Sequence, residues 1–427
     1  MQRRIPMAPE ETQPNMKDTA RLWFAAFLAG VLGAMAMYLF HTLIDGMEWF
    51  LTRHTGSLVQ DAIALPVWAR ILVPTGGGVL AGLVLHFGRS WTSAPHIDYI
   101  DAAREGKIEL NDRTNAIRTL SSLFSVGSGA AIGREGPMVQ LSAWFASWLA
   151  KIFPVPENQR NAILVCGIAA GIGAAYHAPV AGVVFVLELA LGFFARHTVA
   201  PVLISAVTSS ALIFWMVEPG PLYTMPPVPP LPVTPQSLLI ALAAGVASGI
   251  LGLGLLKFIE KSKAAFTLIK PLWIRLGLGG LAVGLLSAPV PEVWGNGYDV
   301  VSKVLDGGLP WNWVAAVLIA KAVATVASTS SGAIGGIFTP TLFVGATSGY
   351  LLGSIAGTDP VMMAIICMAA VLSAVTHAPL MSIVMVLEMT NQFHLVLPVM
   401  LACGASYAVS TQFGAKPLYG NPIEHHA

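Results

Sequence analysis

Charge is what this chain most lacks. Only 11% of its 427 residues are charged, 23 Lys+Arg against 22 Asp+Glu, where a soluble globular domain carries about 25%. A water-soluble enzyme of this length would need two or three domains and a far more charged surface, so that class is excluded. The net charge of +1 excludes a strongly basic nucleic-acid binder, and an apolar content of 55% excludes a disordered chain. Cysteine is almost absent: Cys166, Cys367 and Cys403 lie far apart in apolar runs. They read as small hydrophobic packers, so neither a disulfide frame, a metal site nor a cofactor is expected. The first twenty residues are polar and contain prolines, with no short apolar core before a cleavage site, so no removable leader is expected.

What is present is apolar surface. The mean hydropathy of +0.70 is that of an all-α polytopic membrane protein whose first partner is the lipid bilayer. Residues 22–44 form 23 consecutive uncharged positions between Arg21 and Asp45, enough to cross a ~30 Å hydrocarbon layer. Arg3, Arg4, Lys17 and Arg21 precede that run, which places the N-terminus in the cytoplasm. Apolar stretches follow at 70–88, 114–132, 137–151, 159–172, 178–195, 197–217, 236–256 and 271–290, then at 310–330, 340–356, 360–375, 379–391 and 394–411. Several are too short to span, and Gly or Pro separates them more often than a polar loop. Such segments survive in a bilayer only when buried in protein or lining an aqueous cavity. The expected organisation is an N-terminal tail at 1–20, a first membrane half at 21–217, a Pro-rich connection at 218–235, a second half at 236–420 and a short tail at 421–427.

The two halves repeat. Residues 128–137 read SGAAIGREGP and 331–340 read SGAIGGIFTP, both fitting S-G-A-x-x-G-x-x-x-P at an offset of 203. The same offset pairs Arg118 with Lys321. A second pair, AAYHAPVAGVVFVLELA at 174–190 and AVTHAPLMSIVMVLEMT at 374–390, is identical at 8 of 17 positions, including His177/His377, Pro179/Pro379 and Glu188/Glu388. Composition alone explains shared Val and Leu, but not His-Ala-Pro and Glu in register. A duplicated membrane fold explains all of it, and such folds place their substrate site at the repeat interface.

Each Gly-rich break can deliver a helix N-terminus into the middle of the molecule. Gly133, Arg134 and Gly136 in one break and Gly336 in the other supply backbone that can approach a ligand closely. Pro137 and Pro340 suit the first turn of the helix that follows. Free N–H groups and the positive end of the helix dipole then make a site for a small anion, weak enough to release it. Glu135 is the only acid in either break. A carboxylate there competes with the anion when ionised and withdraws when protonated, which makes it a candidate gate and proton carrier. An ion pair with Arg134, or a cap on nearby N–H groups, is the structural alternative. Arg118 and Lys321 either raise the potential along the access paths or snorkel to the interface. His177 and His377 read as structural, and Glu188 and Glu388 as interfacial.

GREGP at 133–137, GGIFTP at 335–340 and AKPLY at 415–419 resemble the pore motifs of the CLC chloride channels and Cl⁻/H⁺ exchangers, in particular their short bacterial ClcB-like branch. The resemblance runs from the first span to Tyr419. It implies two inverted-topology halves with about eighteen helices, many tilted or broken, and a homodimer with one pore per subunit in a bacterial inner membrane. Carried over, Glu135 becomes the gating glutamate, the N–H groups of Ile337 and Phe338 become chloride ligands, and the Tyr419 hydroxyl closes the central site from the cytoplasmic side. The carried anion is chloride, with bromide and nitrate as alternatives.

Two positions depart from the pattern. The family's GSGIP motif is replaced by Trp91-Thr92-Ser93-Ala94-Pro95, so Thr92 and its neighbour Ser93 stand where a serine ligand is expected. The internal proton-accepting glutamate of the exchangers falls at Leu189, which cannot take a proton. A Glu135-gated chloride channel is therefore the first reading. A Cl⁻/H⁺ antiporter with another proton route is the second. An intramembrane protease built on Ser128 and His177, or a cation symporter, fits poorly: the repeat gives Ser331 and His377 an equal claim, and the breaks hold a single acid.

Overall fold

The computed structural model describes residues 15–53, 56–92, 97–191, 196–217, 220–229 and 234–419. Its described residues are helical almost throughout. The first series is α1 (Met16–Thr52), α2 (Leu58–Ala64), α3 (Val67–Gly88), α4 (Tyr99–Arg104), α5 (Asp112–Gly127), α6 (Glu135–Ile152), α7 (Glu157–Tyr176), α8 (Pro179–Phe185) and α9 (Arg196–Met216). The second is α10 (Pro235–Thr267), α11 (Leu272–Ser287), α12 (Tyr298–Asp306), α13 (Trp311–Ser331), α14 (Phe338–Ala356), α15 (Pro360–Thr376), α16 (Pro379–Thr390) and α17 (Val396–Gln412). Six helical segments among the described residues are long and apolar enough to cross a membrane. Most of the others are shorter, as the clipped apolar runs require.

Helix limits differ from hydropathy limits for physical reasons. α1 passes Asp45 and Glu48 before ending at Arg53, whose left-handed backbone (φ 64°) turns its N–H onto the Trp49 carbonyl. α10 likewise runs beyond its apolar stretch, carrying Lys257, Glu260, Lys261 and Lys263 on exposed positions. Hydropathy marks where lipid stops, whereas a helix continues through good helix formers. The stretch at 114–132 is cut at Gly127, and that at 178–195 begins as α8 and continues as a π-helical turn over Val186–Leu191. The short α2, α4 and α12 leave no long apolar signal in the sequence.

The two series pack as equivalents. α3 lies against α11 so closely that a Cβ on Gly284 would stand 2.7 Å from Ile71 Cα. Without a hydrophobic force between helices in lipid, such close backbone approach is the main source of association. α8, with the π-helical turn that follows it, meets α16 through two carboxylates. Glu188 accepts from the N–H groups of Leu380 (3.2 Å) and Met381 (2.7 Å), and Glu388 from those of Val180 (3.1 Å) and Ala181 (2.7 Å). Each glutamate thus caps the first turn of the other series' helix, a reciprocity that a local two-fold axis requires. Glu188 and Glu388, read as interfacial, are caps.

Candidate anion pathway

The two Gly-rich breaks meet at the centre. Gly133 donates to the Gly336 carbonyl and Gly336 to the Gly133 carbonyl, both at 2.7 Å, in an antiparallel bridge. A Cβ on Gly136 would lie 2.8 Å from Gly336 Cα and N, so both positions need glycine. The bridge presses the N-termini of α6 and α14 together. The first N–H groups of a helix have no carbonyl one turn back. Those of Phe338 and Thr339 meet no acceptor among the described residues. Two dipole ends of the same sign converge here, and a small anion is the charge they stabilise.

Glu135 is the first residue of α6 and is 7% exposed. Its Oε1 accepts a 2.6 Å hydrogen bond from Asn296 Nδ2. Its Oε2 is buried with no partner among the described residues, a state that costs about 1–3 kcal/mol. No ion pair joins it to Arg134; Arg134 instead lines the cavity beside it. The ion-pair alternative is therefore removed.

Cavities lie on both sides of the bridge. One, of about 310 Å³, is lined by His41, Arg134, Glu135, Asn296, Tyr298 and Thr339. On the other side a chamber of about 190 Å³ is lined by Asp98, Arg118, Gly136, Pro137, Gly336 and Tyr419. Glu135 lines one cavity and the next residue, Gly136, lines the other. The 190 Å³ chamber shares Arg118, Gly332 and Ile334 with a vestibule of about 400 Å³ that also holds Arg89, Thr92 and Arg275.

Tyr419 is fixed at the chamber by two contacts. The Leu418 N–H donates to Val375 O at 3.0 Å, and the Tyr419 ring lies 4.9 Å from that of Phe338. Phe338 and Tyr419 are thus brought together, with Ile337 preceding Phe338 at the start of α14 and Arg118 lining the same chamber as Tyr419, while Glu135 lines the other cavity. Thr92 is not among them. It lines the vestibule, its hydroxyl directed 3.4 Å to the Gly88 carbonyl, and Ser93 lies outside the described residues.

Lys321, expected to raise the potential along an access path, is wholly buried and lines none of these cavities. Its ammonium donates to the carbonyls of Val293 (2.7 Å), Trp294 (3.0 Å) and Gly295 (2.6 Å). The offset that pairs it with Arg118 is a backbone correspondence, and the side chains have diverged. Leu189 is buried, and its carbonyl takes a 2.6 Å hydrogen bond from Arg104 Nε at the π-helical turn. Ser128 donates to Ser125 O, while His177 caps α7 in a left-handed conformation and contacts Gly220 O. Each is engaged separately, so no nucleophile and base pair forms.

Asn296 was not apparent from the sequence. The signal was there: Gly295-Asn296-Gly297 after a proline-bearing turn marks an Asx turn at a helix start. Arg89 and Arg275 were missed for another reason, since only the fold brings them to Arg118.

The family model described as voltage gated chloride channel matches residues 76–411. A ClcB-like chloride channel protein of Ralstonia nicotianae is 44% identical over 411 residues, covering 93% of this chain and 95% of that protein. The voltage-gated ClC-type chloride channel ClcB of Salmonella typhimurium is 36% identical over 418 residues, covering 94% and 98%. Among solved structures, a slow cyanobacterial Cl⁻/H⁺ antiporter superposes with a TM-score of 0.81 at 23% identity, over 95% of this chain and 96% of that one. A CLC-type fluoride/proton antiporter gives 0.80 at 22% identity, over 94% and 98%.

Proposed function

The chain belongs to the voltage-gated chloride channel (CLC) family, and on that footing we propose that it conducts chloride through a pore gated by Glu135. One observation carries the reading: a buried, half-satisfied carboxylate lines one cavity while its neighbour Gly136 lines another, beside two converging helix N-termini. Chloride passes from the vestibule past Arg118 to the chamber at Tyr419, then to the N–H groups of Ile337 and Phe338. Glu135 occupies or vacates the next position. Its ionised carboxylate rivals the anion for those donors, and protonation removes the rivalry. The N-terminus and the vestibule then face the cytoplasm of a bacterium. The exposed apolar side chains around α8 and α16, such as Val180 and Leu380, suit a homodimer contact. Bromide and nitrate, which make similar demands on N–H donors, accompany chloride as permeant ions.

A second reading, Cl⁻/H⁺ antiport through the same pore, draws on Asp98. Its carboxyl lines the chamber beside Arg118 and Tyr419, and burial raises its affinity for a proton. An inner proton donor is thus available although Leu189 is inert. Chloride efflux and internal pH, recorded together from proteoliposomes under a chloride gradient alone, separate the readings. Efflux without proton movement indicates a channel; uphill proton movement indicates the antiporter. In either case Glu135→Gln abolishes the pH dependence of efflux. Efflux from the wild type that ignores pH overturns the gate.

A further inference from the structure

We propose that Asn296 is the latch that holds the Glu135 carboxylate away from the anion's N–H donors. The inference rests on the gating reading above and adds the residue that sets where the gate rests. Glu135 Oε1 receives its 2.6 Å hydrogen bond from Asn296 Nδ2, inside the cavity on the Arg134 side. The carboxylate makes no bond to the N–H groups of Phe338 or Thr339, and its second oxygen has no partner among the described residues. It is therefore held by one oxygen, and no second hydrogen bond opposes its release.

Four features make Asn296 a fixed donor. Its Oδ1 accepts from the Tyr298 N–H at 3.1 Å, which settles the orientation of the amide: with oxygen committed to that turn, nitrogen must face Glu135. The turn is anchored by Lys321, whose ammonium gathers the three carbonyls immediately before Asn296. The same loop is tied to the first Gly-rich break by Gly295 N–H to Gly129 O at 3.3 Å. At the far end, Tyr298 donates from its hydroxyl to Leu222 O at 2.6 Å. The second half of the molecule thereby reaches across to position the one acid in the first half's break. This also gives the buried Lys321 a purpose that its repeat partner Arg118 does not share.

Asn296→Asp isolates the donor. Aspartate keeps the oxygen that accepts from Tyr298 and replaces the amide that donates to Glu135, and Asn296→Ala removes both. Chloride efflux from proteoliposomes would be measured for each substitution, alone and combined with Glu135→Ala. Without the latch the carboxylate returns to the helix N-termini and blocks, so efflux at neutral pH falls by about tenfold or more, the range expected for one hydrogen bond to a charged group. With Glu135→Ala present there is nothing to hold, and adding Asn296→Asp leaves efflux unchanged. If Asn296→Asp slows efflux equally in both backgrounds, the residue is merely structural and the latch is overturned. Unchanged or faster efflux in the single variant overturns it too, the latter by showing that Asn296 holds the gate shut. If Glu135→Ala alone behaves as wild type, the gating reading itself fails, a result distinct from the other three.

Discussion

Lys321 is a cation with no exposure and three carbonyl partners, in a segment long and apolar enough to span the membrane. Its removal would leave three buried carbonyls unmatched, at about 1–3 kcal/mol each. Lys321→Met keeps the aliphatic volume and loses the donors. The expected result is a large fall in the thermal unfolding temperature of the purified protein in detergent, together with slower chloride efflux as Asn296 loses its anchor. Arg118→Gln, half-buried at the vestibule, should leave the unfolding temperature nearly unchanged. Equal destabilisation by the two would refute this division of roles. The sequence marked both cations, because a charge in an apolar run is conspicuous. It could not assign them, since burial against a loop nearly thirty residues upstream is invisible in a pattern read along one helix. Glu135 was legible for the opposite reason: everything that makes it unusual lies within its own GREGP.

Among elements, the paired glutamates of the π-helical turn after α8 and of α16 carry the clearest consequence. Each accepts from two N–H groups in the first turn of the other's helix, where four such groups lack helical acceptors and the dipole is positive. A capping carboxylate contributes about 1–2 kcal/mol. Glu188→Ala and Glu388→Ala should lower stability by similar amounts, read as loss of unfolding temperature, because the two sites are near copies. A strongly unequal pair would argue that one glutamate serves the pathway instead. The repeat in sequence foretold that these residues correspond, and the helices α6 and α14 begin where the Gly-rich breaks ended. What it missed were the short helices α2, α4 and α12, which lie between spans and follow no membrane-length period. α12 matters most, since its first turn helps orient the amide facing Glu135.

For the whole molecule, the balance of charge differs between the two ends of the pathway. Arg89 follows α3, Arg118 sits on α5 and Arg275 on α11, yet all three line one vestibule of about 400 Å³. None forms an ion pair with a carboxylate among the described residues. Arg275 donates from Nε to Ser331 O at 2.8 Å, which leaves the rest of its guanidinium for the cavity. The net charge of the chain is only +1, so this concentration of positive charge comes from folding, not composition. A cleft lined by one sign within low-dielectric walls raises the local concentration of counter-ions. The double variant Arg89→Gln, Arg275→Gln should therefore slow chloride efflux several-fold at about 10 mM salt, where the Debye length is ~30 Å. At about 1 M salt the Debye length shrinks to ~3 Å and the deficit should vanish. The loss should also appear only when limiting chloride is supplied from the vestibule side. A deficit that persists at high salt, or is equal from both sides, would mean that these arginines hold the fold and do not gather anions.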